Sequence, residues 1–427
     1  MRAPTKSRTK VLFLARLFGG LKKGLAAGRW EPRGVPAIYR LLEGLARDPD
    51  VDLLTVFTDK EPDARFPSYV RRNVAPLGDT IILPWRRIAG GHFRRLELAL
   101  TEAEHTARIL ALAKKFKPDV IYATYANIHA AALLARAGYK VVLRLMGVVP
   151  HHRQIAEGRA PLFRWAMRAP FAEVVSSEDG SDPAPVMEKL VAGGTPWRVR
   201  LNGCDPVEAT EDEIAQARHA VGGTRPIVVF LARLEPQKGC LEFVKAAVAL
   251  LQRKPDCADI VIVGDGPLRA EMESLVQAAG QTERVHFMGS QTHAQAGRWL
   301  AAADIYVSVN LYGNLSNANL EALSAGVCLV LPTSDSSVPL DTATDRLMPA
   351  DVATRYNRER IPDSLADALA ELIQAPDEIA RRRGATQALK GKLVKPWDDV
   401  IASDIAQLKH IAAGRSGAPK PTPASTS

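Results

Sequence analysis

The sequence lacks the features that are typical of membrane-spanning proteins and of proteins stabilised by disulfides or structural metal ions. No apolar run in its 427 residues reaches the roughly 18 residues that a transmembrane helix requires, and the first apolar segment is interrupted by Arg16. Its four cysteines form no CxxC pair and have no histidine at zinc-ligand spacing, so neither a disulfide framework nor a metal site is indicated. We therefore expect a protein of a reducing compartment, without a signal peptide, that folds on an ordinary apolar core.

The sequence also lacks the motifs of familiar hydrolase and triphosphatase sites. It contains no GxSxG elbow, no HExxH helix and no Walker loop, which argues against the nucleophilic, zinc and P-loop chemistry that those motifs serve. Any catalysis has to rest on other side chains.

The formal net charge of +9 is unevenly distributed along the chain. Residues 1–200 carry 33 Lys and Arg against 19 Asp and Glu, whereas the remainder carries 23 basic and 28 acidic residues. This asymmetry suggests a negatively charged partner for the first half, such as an anionic membrane surface, although a solvated basic face is equally compatible. No recognition helix or aromatic-interleaved basic motif is visible, so a nucleic-acid partner is not expected.

Short apolar runs alternate with stretches of helical period, which is typical of βαβ units and a parallel sheet. The predicted strands lie at 10–16, 51–58, 80–84, 119–124, 140–147 and 173–177, then at 226–232, 259–264, 284–288, 304–309 and 327–332. The predicted helices lie at 94–116, 208–220, 238–251, 268–279, 294–303, 316–325, 363–374 and from 378 onward. Such a series predicts an α/β protein of two doubly wound, Rossmann-like domains that face each other across a cleft.

The expected domain limits are 1–205 and 206–394. A C-terminal helix at about 395–413 is expected to join the first domain, with Trp397 as an apolar anchor. The small, polar and proline-rich segment 414–427 is predicted to be a disordered tail.

Two basic residues of the second domain indicate a phosphate site. Ligands of open α/β sheets bind at the carboxyl ends of the strands. Arg233 follows a predicted strand and Lys238 begins the next helix, so two cations and a helix N-terminus would converge on a diphosphate. Gly264 opens a glycine-rich turn that would let the backbone approach a ligand, although a tight βα turn before Pro267 is an equally good interpretation.

Two further segments are candidates for ligand contacts. Ser316 is a plausible N-cap for a helix that carries Glu321 among apolar neighbours, where a carboxylate could accept hydrogen bonds from two ribose hydroxyls. The alternative is a solvent-facing glutamate. In the first domain, the loop that begins at Gly19 and Gly20 and contains Lys22 could close over phosphates or meet an anionic acceptor, or could be a flexible basic surface loop.

The order of these residues resembles the donor-binding domain of the family-4 retaining glycosyltransferases, the glycosyl transferases group 1, which have the GT-B fold. The resemblance covers about residues 225–333 and is carried by Arg233, Lys238, GDGP at 264–267, VHFMG at 285–289 and Glu321-Ala-Leu-x-Ala-Gly326. It implies that Arg233 and Lys238 bind the pyrophosphate of a nucleotide sugar and act in catalysis, and that Glu321, the second glutamate of an E-x7-E motif, binds the ribose. It also implies that the backbone amides of Asn314, Leu315, Ser316 and Asn317 face phosphate or sugar. The other predicted donor-binding residues are the glycines Gly313, Gly264, Gly19 and Gly20.

The sequence departs from the family pattern at three positions. Eight residues before Glu321 stands Gly313, so the first glutamate of the motif is missing, and Asn310, Asn314 or Asn317 would have to bind sugar hydroxyls as neutral amides. Where many relatives carry histidines after two strands of the first domain, this chain has other residues. The substitutes are Thr124 and Met146, and the nearby histidine candidates are His129, His151 and His152.

The resemblance implies transfer, with retention of configuration, of a hexose-like sugar from a nucleoside-diphosphate sugar to a hydroxyl of a glycan or lipid-linked saccharide. It implies no metal and no cofactor, because two cations would neutralise the diphosphate. The expected location is cytoplasmic, either free or peripheral at the inner face of a membrane with the basic first domain against anionic lipid. The alternative is a non-catalytic GT-B subunit that binds a nucleotide or glycan within a polysaccharide assembly system.

Overall fold

The computed structural model describes residues 8–87, 94–334 and 341–414, which form two compact α/β units. The first unit comprises Met1–Ser177, Pro183–Arg200 and Asp398–Ser427, and the second comprises Glu178–Asp182 and Leu201–Trp397. The short segment Glu178–Asp182 therefore belongs to the second unit although residues of the first unit precede and follow it. The predicted disordered tail lies, apart from Gly414, outside the described residues.

The sheet of the first unit has the strand order β3-β4-β2-β1-β5-β6-β7-β8 and is parallel except for β3, which pairs antiparallel with β4. Its strands are β1 (Thr9–Arg16), β2 (Val51–Thr58), β3 (Val70–Val74), β4 (Gly78–Leu83), β5 (Val120–Thr124), β6 (Val141–Leu145), β7 (Glu173–Ser177) and β8 (Trp197–Arg200). Its helices are α1 (Gly19–Ala26), α2 (Pro36–Arg47), α3 (Arg94–Phe116), α4 (Ile128–Arg136), α5 (Pro150–Ala156), α6 (Pro161–Met167) and α7 (Ala184–Leu190).

The sheet of the second unit is parallel throughout, with the order β11-β10-β9-β12-β13-β14. Its strands are β9 (Ile227–Leu231), β10 (Asp259–Val263), β11 (Val285–Gly289), β12 (Ile305–Val307), β13 (Cys328–Pro332) and β14 (Ala353–Tyr356). Its helices are α8 (Glu211–His219), α9 (Cys240–Arg253), α10 (Arg269–Ala278), α11 (His293–Ala302), α12 (Asn317–Ala325), α13 (Thr342–Leu347), α14 (Asp363–Ile373) and α15 (Pro376–Leu393).

Alternation along β9 shows how the second sheet is buried on both faces. Val228 and Phe230 belong to the apolar core that also contains residues of α9 and α14, whereas Ile227 and Val229 belong to the core that contains residues of α11 and α12. Successive side chains of a strand point to opposite faces, so a sheet covered on both sides needs the nearly continuous apolar runs that the sequence contains.

The last helix, α16 (Trp397–Ala412), packs on the first unit. A Cβ on Gly44 of α2 would lie 2.6 Å from Cγ2 of Ile401, so the two helices meet at a position that only glycine fills without displacement. Asp404 of this helix accepts hydrogen bonds from Arg198 and Arg200 of β8, at 3.0 Å for Arg198. The helix is therefore held by both apolar packing and charge.

All eleven predicted strands are confirmed, and three further strands are present that the sequence did not predict. The additional strands are β3, β8 and β14, and each lies at an edge of its sheet. An edge strand has one open side, so it need not be a continuous apolar run. VRRNV has three polar residues between two valines, and WRVR alternates apolar with polar residues. Among the described residues, no helix combines the length and hydropathy that crossing a bilayer requires.

Candidate functional site

Arg233 and Lys238 lie in the connection between β9 and α9. Lys238 ends a short 3-10 turn, Pro236–Lys238, and α9 begins only at Cys240, so the prediction that Lys238 starts the helix was wrong by two residues. Gly239 separates them with φ +66°, and a Cβ there would lie 2.4 Å from the carbonyl oxygen of Val309. Glycine at this position lets the turn lie against the strand end, which holds Lys238 beside the sheet.

The two cations are close enough to influence each other. Burial lowers the pKa of the Lys238 ammonium, and the charge of Arg233 lowers it further. The Arg233 side chain is 69% exposed and pairs with Glu235 at 2.6 Å, whereas Lys238 forms no salt bridge or side-chain hydrogen bond with any residue of the described ranges. A half-buried cation without a paired carboxylate, next to a second cation, is a place where an anion gains strong charge-assisted hydrogen bonds.

Glu321 lies on α12, with a side chain that is 20% exposed. Burial raises the pKa of its carboxyl to about 7, and the nearby Asp205 adds to the rise. His293 approaches it, with 3.6 Å between Nδ1 and Oε1. The interpretation as an ordinary solvent-facing glutamate does not fit this burial, and the carboxylate is placed at a largely closed position where polar ligand groups could satisfy it.

The loop before α12 is fixed by a buried network, and this corrects one expectation. The Asn314 side chain is fully buried; its Oδ1 accepts from Ser308 at 2.7 Å and its Nδ2 donates to Asp341 at 2.6 Å. Its backbone N–H also donates to Asp341, at 2.6 Å. Asn314 therefore has no side-chain group available for sugar hydroxyls, and its amide does not face a ligand.

The next three residues differ in how far their polar groups are used by hydrogen bonds within the protein. The Leu315 N–H donates to the carbonyl of Asp179 at 3.0 Å, so this amide is occupied as well. Ser316 is the N-cap residue as predicted, but its hydroxyl donates to the side chain of Asn319 at 3.0 Å instead of accepting from the helix. Asn317 accepts from Asn202 at 2.9 Å, and its N–H belongs to the first helical turn, where no intrahelical acceptor exists.

Asn310 is also partly engaged, because its side chain donates to the carbonyl of Gly313 at 2.7 Å. Gly313 itself has no space for a side chain. A Cβ there would lie 2.5 Å from the carbonyl oxygen of Asp179 and 2.8 Å from the amide nitrogen of Ser181. The glutamate that the family motif would place at 313 is excluded by this contact, not merely replaced.

The segment Glu178–Asp182 is the part of this site that sequence reasoning missed. Gly180 accepts a hydrogen bond from the N–H of Asp341 at 2.6 Å, and Asp179 accepts from Leu315. Asp179 is one of the charges that act on Lys238, so its carboxylate lies near the ammonium. The signal available in the sequence was the acidic, glycine-containing run EDGSD directly after a strand.

The glycine-rich turn after β10 serves packing within the second unit. Gly264 has φ +141°, and a Cβ there would lie 1.8 Å from the carbonyl oxygen of Ala232. The close backbone approach that the glycine allows is to the turn that carries Arg233. The expected start of the next helix at Leu268 was early by one residue, since α10 begins at Arg269.

The candidate loop of the first unit is not a flexible basic loop. Gly19 and Gly20 form the first turn of α1, and a Cβ on Gly20 would lie 1.8 Å from the carbonyl oxygen of Arg33. Lys22 is buried, and its ammonium contacts Asp59 at 2.9 Å and Asp63 at 3.1 Å. It is therefore unavailable to an anion, while contact of the two glycines with the donor stays a prediction.

Two of the histidine candidates pack against the ring of Phe163, and the third packs against Tyr125. The rings of His129 and His151 lie 4.8 and 4.9 Å from that of Phe163, and His152 packs edge-on against Tyr125 at 4.4 Å. Burial lowers the pKa of His152 to about 4, and the neighbouring His151 contributes. His152 Nδ1 accepts from the N–H of Val149 at 3.1 Å, which gives this ring a structural role at the start of α5. Thr124, buried at the end of β5, precedes this cluster.

Comparison with known proteins connects the second unit to a family. Residues 225–375 match the family described as Glycosyl transferases group 1. The chain is 33% identical over 116 residues to an alpha-D-kanosaminyltransferase of Streptomyces kanamyceticus, covering 27% of this chain and 30% of that protein. It is 27% identical over 227 residues to a phosphatidyl-myo-inositol mannosyltransferase of Mycobacterium leprae, covering 51% of this chain and 56% of that protein. The chain thus spans at most about half the length of these curated relatives.

Among solved structures, HepE of Anabaena in complex with UDP matches with a TM-score of 0.67 and 16% identity, covering 93% of this chain and 99% of that one. At this identity the likeness concerns the fold. The predicted GT-B fold, α/β with two sheet-containing units, is confirmed, and the match to the glycosyl transferases group 1 model lies within the second unit.

Proposed function

We propose that the protein is a retaining glycosyltransferase of the family-4 type that moves a hexose-like sugar from a nucleoside-diphosphate sugar to a hydroxyl of a glycan or lipid-linked saccharide. The observation that carries the proposal is the arrangement around Lys238. A half-buried ammonium without a carboxylate partner in the described residues lies next to the exposed guanidinium of Arg233. Both follow β9, inside the region that matches the family.

In the proposed reaction, the bond between the anomeric carbon and the diphosphate oxygen breaks while a bond from that carbon to the acceptor oxygen forms. The departing oxygen gains negative charge, and Arg233 and Lys238 stabilise it electrostatically. The proton of the acceptor hydroxyl passes to this phosphate oxygen on the same face of the sugar, so no protein base is needed. Two cations neutralise the diphosphate, so the proposal invokes no metal and no cofactor.

Glu321 is proposed to hold the donor by its ribose. Its carboxylate lies on α12, which follows the loop that contains Gly313, and is mostly shielded from solvent. Hydrogen bonds from two ribose hydroxyls would satisfy an ionised carboxylate at this position, because a charged acceptor forms stronger hydrogen bonds than a neutral one. The amide of Asn317 is proposed to face the donor.

The acceptor side is proposed to lie at an anionic membrane surface on the cytoplasmic side. We define the α5–α6 patch as the exposed apolar residues Val149, Leu162 and Trp165 with the exposed arginines Arg159 and Arg168. The three apolar side chains are 45, 60 and 42% exposed. Exposed apolar side chains with exposed arginines in the same segment, in the basic half of the chain, fit the interface of a bilayer that contains anionic lipid.

The central experiment replaces each cation and measures transfer from UDP-glucose and GDP-mannose with mixed glycan and lipid-linked acceptors. Lys238→Ala and Arg233→Ala are each expected to lower kcat by about 10²- to 10³-fold, the usual loss when one charge-stabilising donor is removed. Lys245→Ala, an exposed lysine of α9, is the matched control and should keep wild-type activity. Full activity of either cation variant would refute the mechanism.

The non-catalytic alternative is favoured by one observation, the steric exclusion of a glutamate at Gly313. A binding subunit would take up nucleoside diphosphates with the same Lys238 dependence and yet turn over no sugar nucleotide. Turnover by the wild-type protein therefore separates the two functions.

A further inference from the structure

The proposed donor site lacks a carboxylate where the family motif has its first glutamate, and the structure shows what occupies that space. The backbone of Asp179–Ser181 lies against Gly313, with the Asp179 carbonyl 2.5 Å from a Cβ built at 313. The same carbonyl accepts from the Leu315 N–H at 3.0 Å. A segment more than 100 residues earlier in the chain thus lies beside the loop that contains Gly313.

The asparagines expected to substitute for that glutamate all form hydrogen bonds within the protein. Asn314 is buried and bonded to Ser308 and Asp341, and Asn310 donates to Gly313. Asn317 accepts from Asn202. The neutral-amide explanation therefore excludes Asn314 and leaves only one half of the side-chain amide of Asn310 and of Asn317.

Asp179, in contrast, carries a half-buried carboxylate in the segment whose backbone packs against Gly313. Its Oδ1 accepts from both the N–H and the hydroxyl of Ser181, at 3.1 Å for the N–H, and in the described residues no side chain other than that of Ser181 donates to it. Lys238 is close enough for their charges to interact. The carboxylate is therefore oriented by the Ser181 turn and lies within electrostatic range of the cation that is proposed to bind the diphosphate.

A carboxylate at this place is unfavourable for binding a bare diphosphate, because it repels the anion and competes for the Lys238 charge. It is favourable for a ligand that brings hydroxyl donors next to the diphosphate. A nucleoside diphosphate has no such group there, whereas the sugar of a nucleotide sugar does.

We propose that Asp179, supplied by the Glu178–Asp182 segment that packs against Gly313, is the carboxylate that accepts hydrogen bonds from hydroxyls of the transferred sugar. This inference rests on the proposed function and deepens it. Asp179 would thereby select sugar nucleotides over their free diphosphates and set which sugar hydroxyl pattern is accepted.

The test compares the binding of UDP and GDP with that of UDP-glucose and GDP-mannose by calorimetry in wild type, Asp179→Asn and Asp179→Glu. Asp179→Asn is expected to bind the free diphosphates as tightly as wild type or tighter, because a repelling charge is removed. It should bind the preferred sugar nucleotide about 10- to 100-fold more weakly, the effect of losing hydrogen bonds to a charged acceptor. Asp179→Glu keeps the charge but moves the oxygens, and should also lose affinity for the sugar nucleotide.

Asp351→Asn, an exposed aspartate of the same unit, is the matched control and should change neither affinity. Loss of both ligands in the two Asp179 variants, with a lowered Tm, would indicate a purely structural role and overturn the proposal. Unchanged preference for the sugar nucleotide in Asp179→Asn would overturn it as well. A wild-type protein that binds no nucleotide at all would instead refute the proposed function.

Discussion

Burial shifts the pKa values of the two ionisable residues that are proposed to bind the nucleoside diphosphate, Lys238 at the diphosphate and Glu321 at the ribose. It lowers the pKa of Lys238 and raises that of Glu321 to about 7, so both groups are moved toward their neutral forms while the site is empty. Desolvation of a charge is costly unless a partner compensates for it. A diphosphate would compensate Lys238, and ribose hydroxyls would compensate Glu321, so binding should shift both pKa values back toward their ordinary ranges.

At the residue scale, this predicts a pH-dependent nucleotide affinity. With a pKa of about 7, Glu321 is mostly ionised at pH 8 and mostly protonated at pH 6, so affinity for UDP or GDP should fall roughly tenfold between them. Calorimetry of wild type and Glu321→Gln at both pH values checks this, because the ligand's own titration affects both proteins equally. The variant should bind weakly and lack the Glu321-dependent part of the pH response.

The same residue predicts a stability effect of defined sign. Its folded-state pKa is raised above its ordinary 4.5, so ionisation of this carboxyl costs folding free energy increasingly as the pH rises through 4.5 to 7. Glu321→Gln is therefore expected to raise the Tm at pH 8 while it weakens nucleotide binding. A variant that loses both stability and binding would contradict the role of Glu321 as a ligand-compensated charge.

At the scale of elements, α16 is attached to the first unit through Asp404. Its carboxylate is 5% exposed and is shared between Arg198 and Arg200, and Arg198 also pairs with Glu173 of β7 at 2.9 Å. Removing the carboxylate takes a salt-bridge partner away from both arginines. A buried charge that loses its partner costs far more than an exposed pair of the same kind.

We expect Asp404→Asn to lower the free energy of unfolding by roughly 3 kcal/mol, the lower end of the range for breaking a buried pair, because the arginines are partly exposed. Asp363→Asn is the matched control, since it breaks the exposed pair with Arg253 and should cost at most about 1 kcal/mol. Urea unfolding followed by circular dichroism measures both. Equal effects of the two substitutions would show that α16 is held by apolar packing alone.

At the scale of the whole molecule, the charge asymmetry of the chain and the α5–α6 patch point to the same partner. The basic residues are concentrated in the first 200 positions. Trp165 is flanked by Arg136, whose guanidinium lies 3.9 Å from the ring centroid. An aromatic side chain with an adjacent cation is suited to the boundary between lipid headgroups and acyl chains.

We expect the protein to sediment with vesicles that contain phosphatidylglycerol and not with vesicles of phosphatidylcholine alone. The double variant Leu162→Ser with Trp165→Ser should reduce sedimentation at least tenfold, and 0.5 M salt should weaken the charge contribution. Tyr69→Ser, an exposed aromatic residue elsewhere in the same unit, is the control and should bind as wild type. Equal sedimentation of the double variant and the wild type would exclude the α5–α6 patch as the contact.

Much of the fold was predictable because central strands of a sheet covered on both faces require apolar runs. β2 and β7 were predicted to the residue, and α3 likewise, because Pro118 follows its end. The edge strands β3, β8 and β14 were missed, since one open side relaxes that requirement. Arg233, Lys238 and Glu321 could be identified as candidates because each stands at a fixed distance from a predicted strand or helix.

From the sequence alone follow the order of the central strands, the identity of the paired cations and the absence of a glutamate at 313, all of which depend on local pattern or on residue type. Only the tertiary structure decided that Asn314 is occupied by Asp341, that Lys22 is held by Asp59 and Asp63, and that Asp179 lies beside Gly313. These contacts join residues that lie 27 to more than 100 positions apart in the sequence. The contact at Gly313 also depends on whether a Cβ atom fits beside the backbone of Asp179. No local periodicity encodes such pairings, because they arise from how the elements pack.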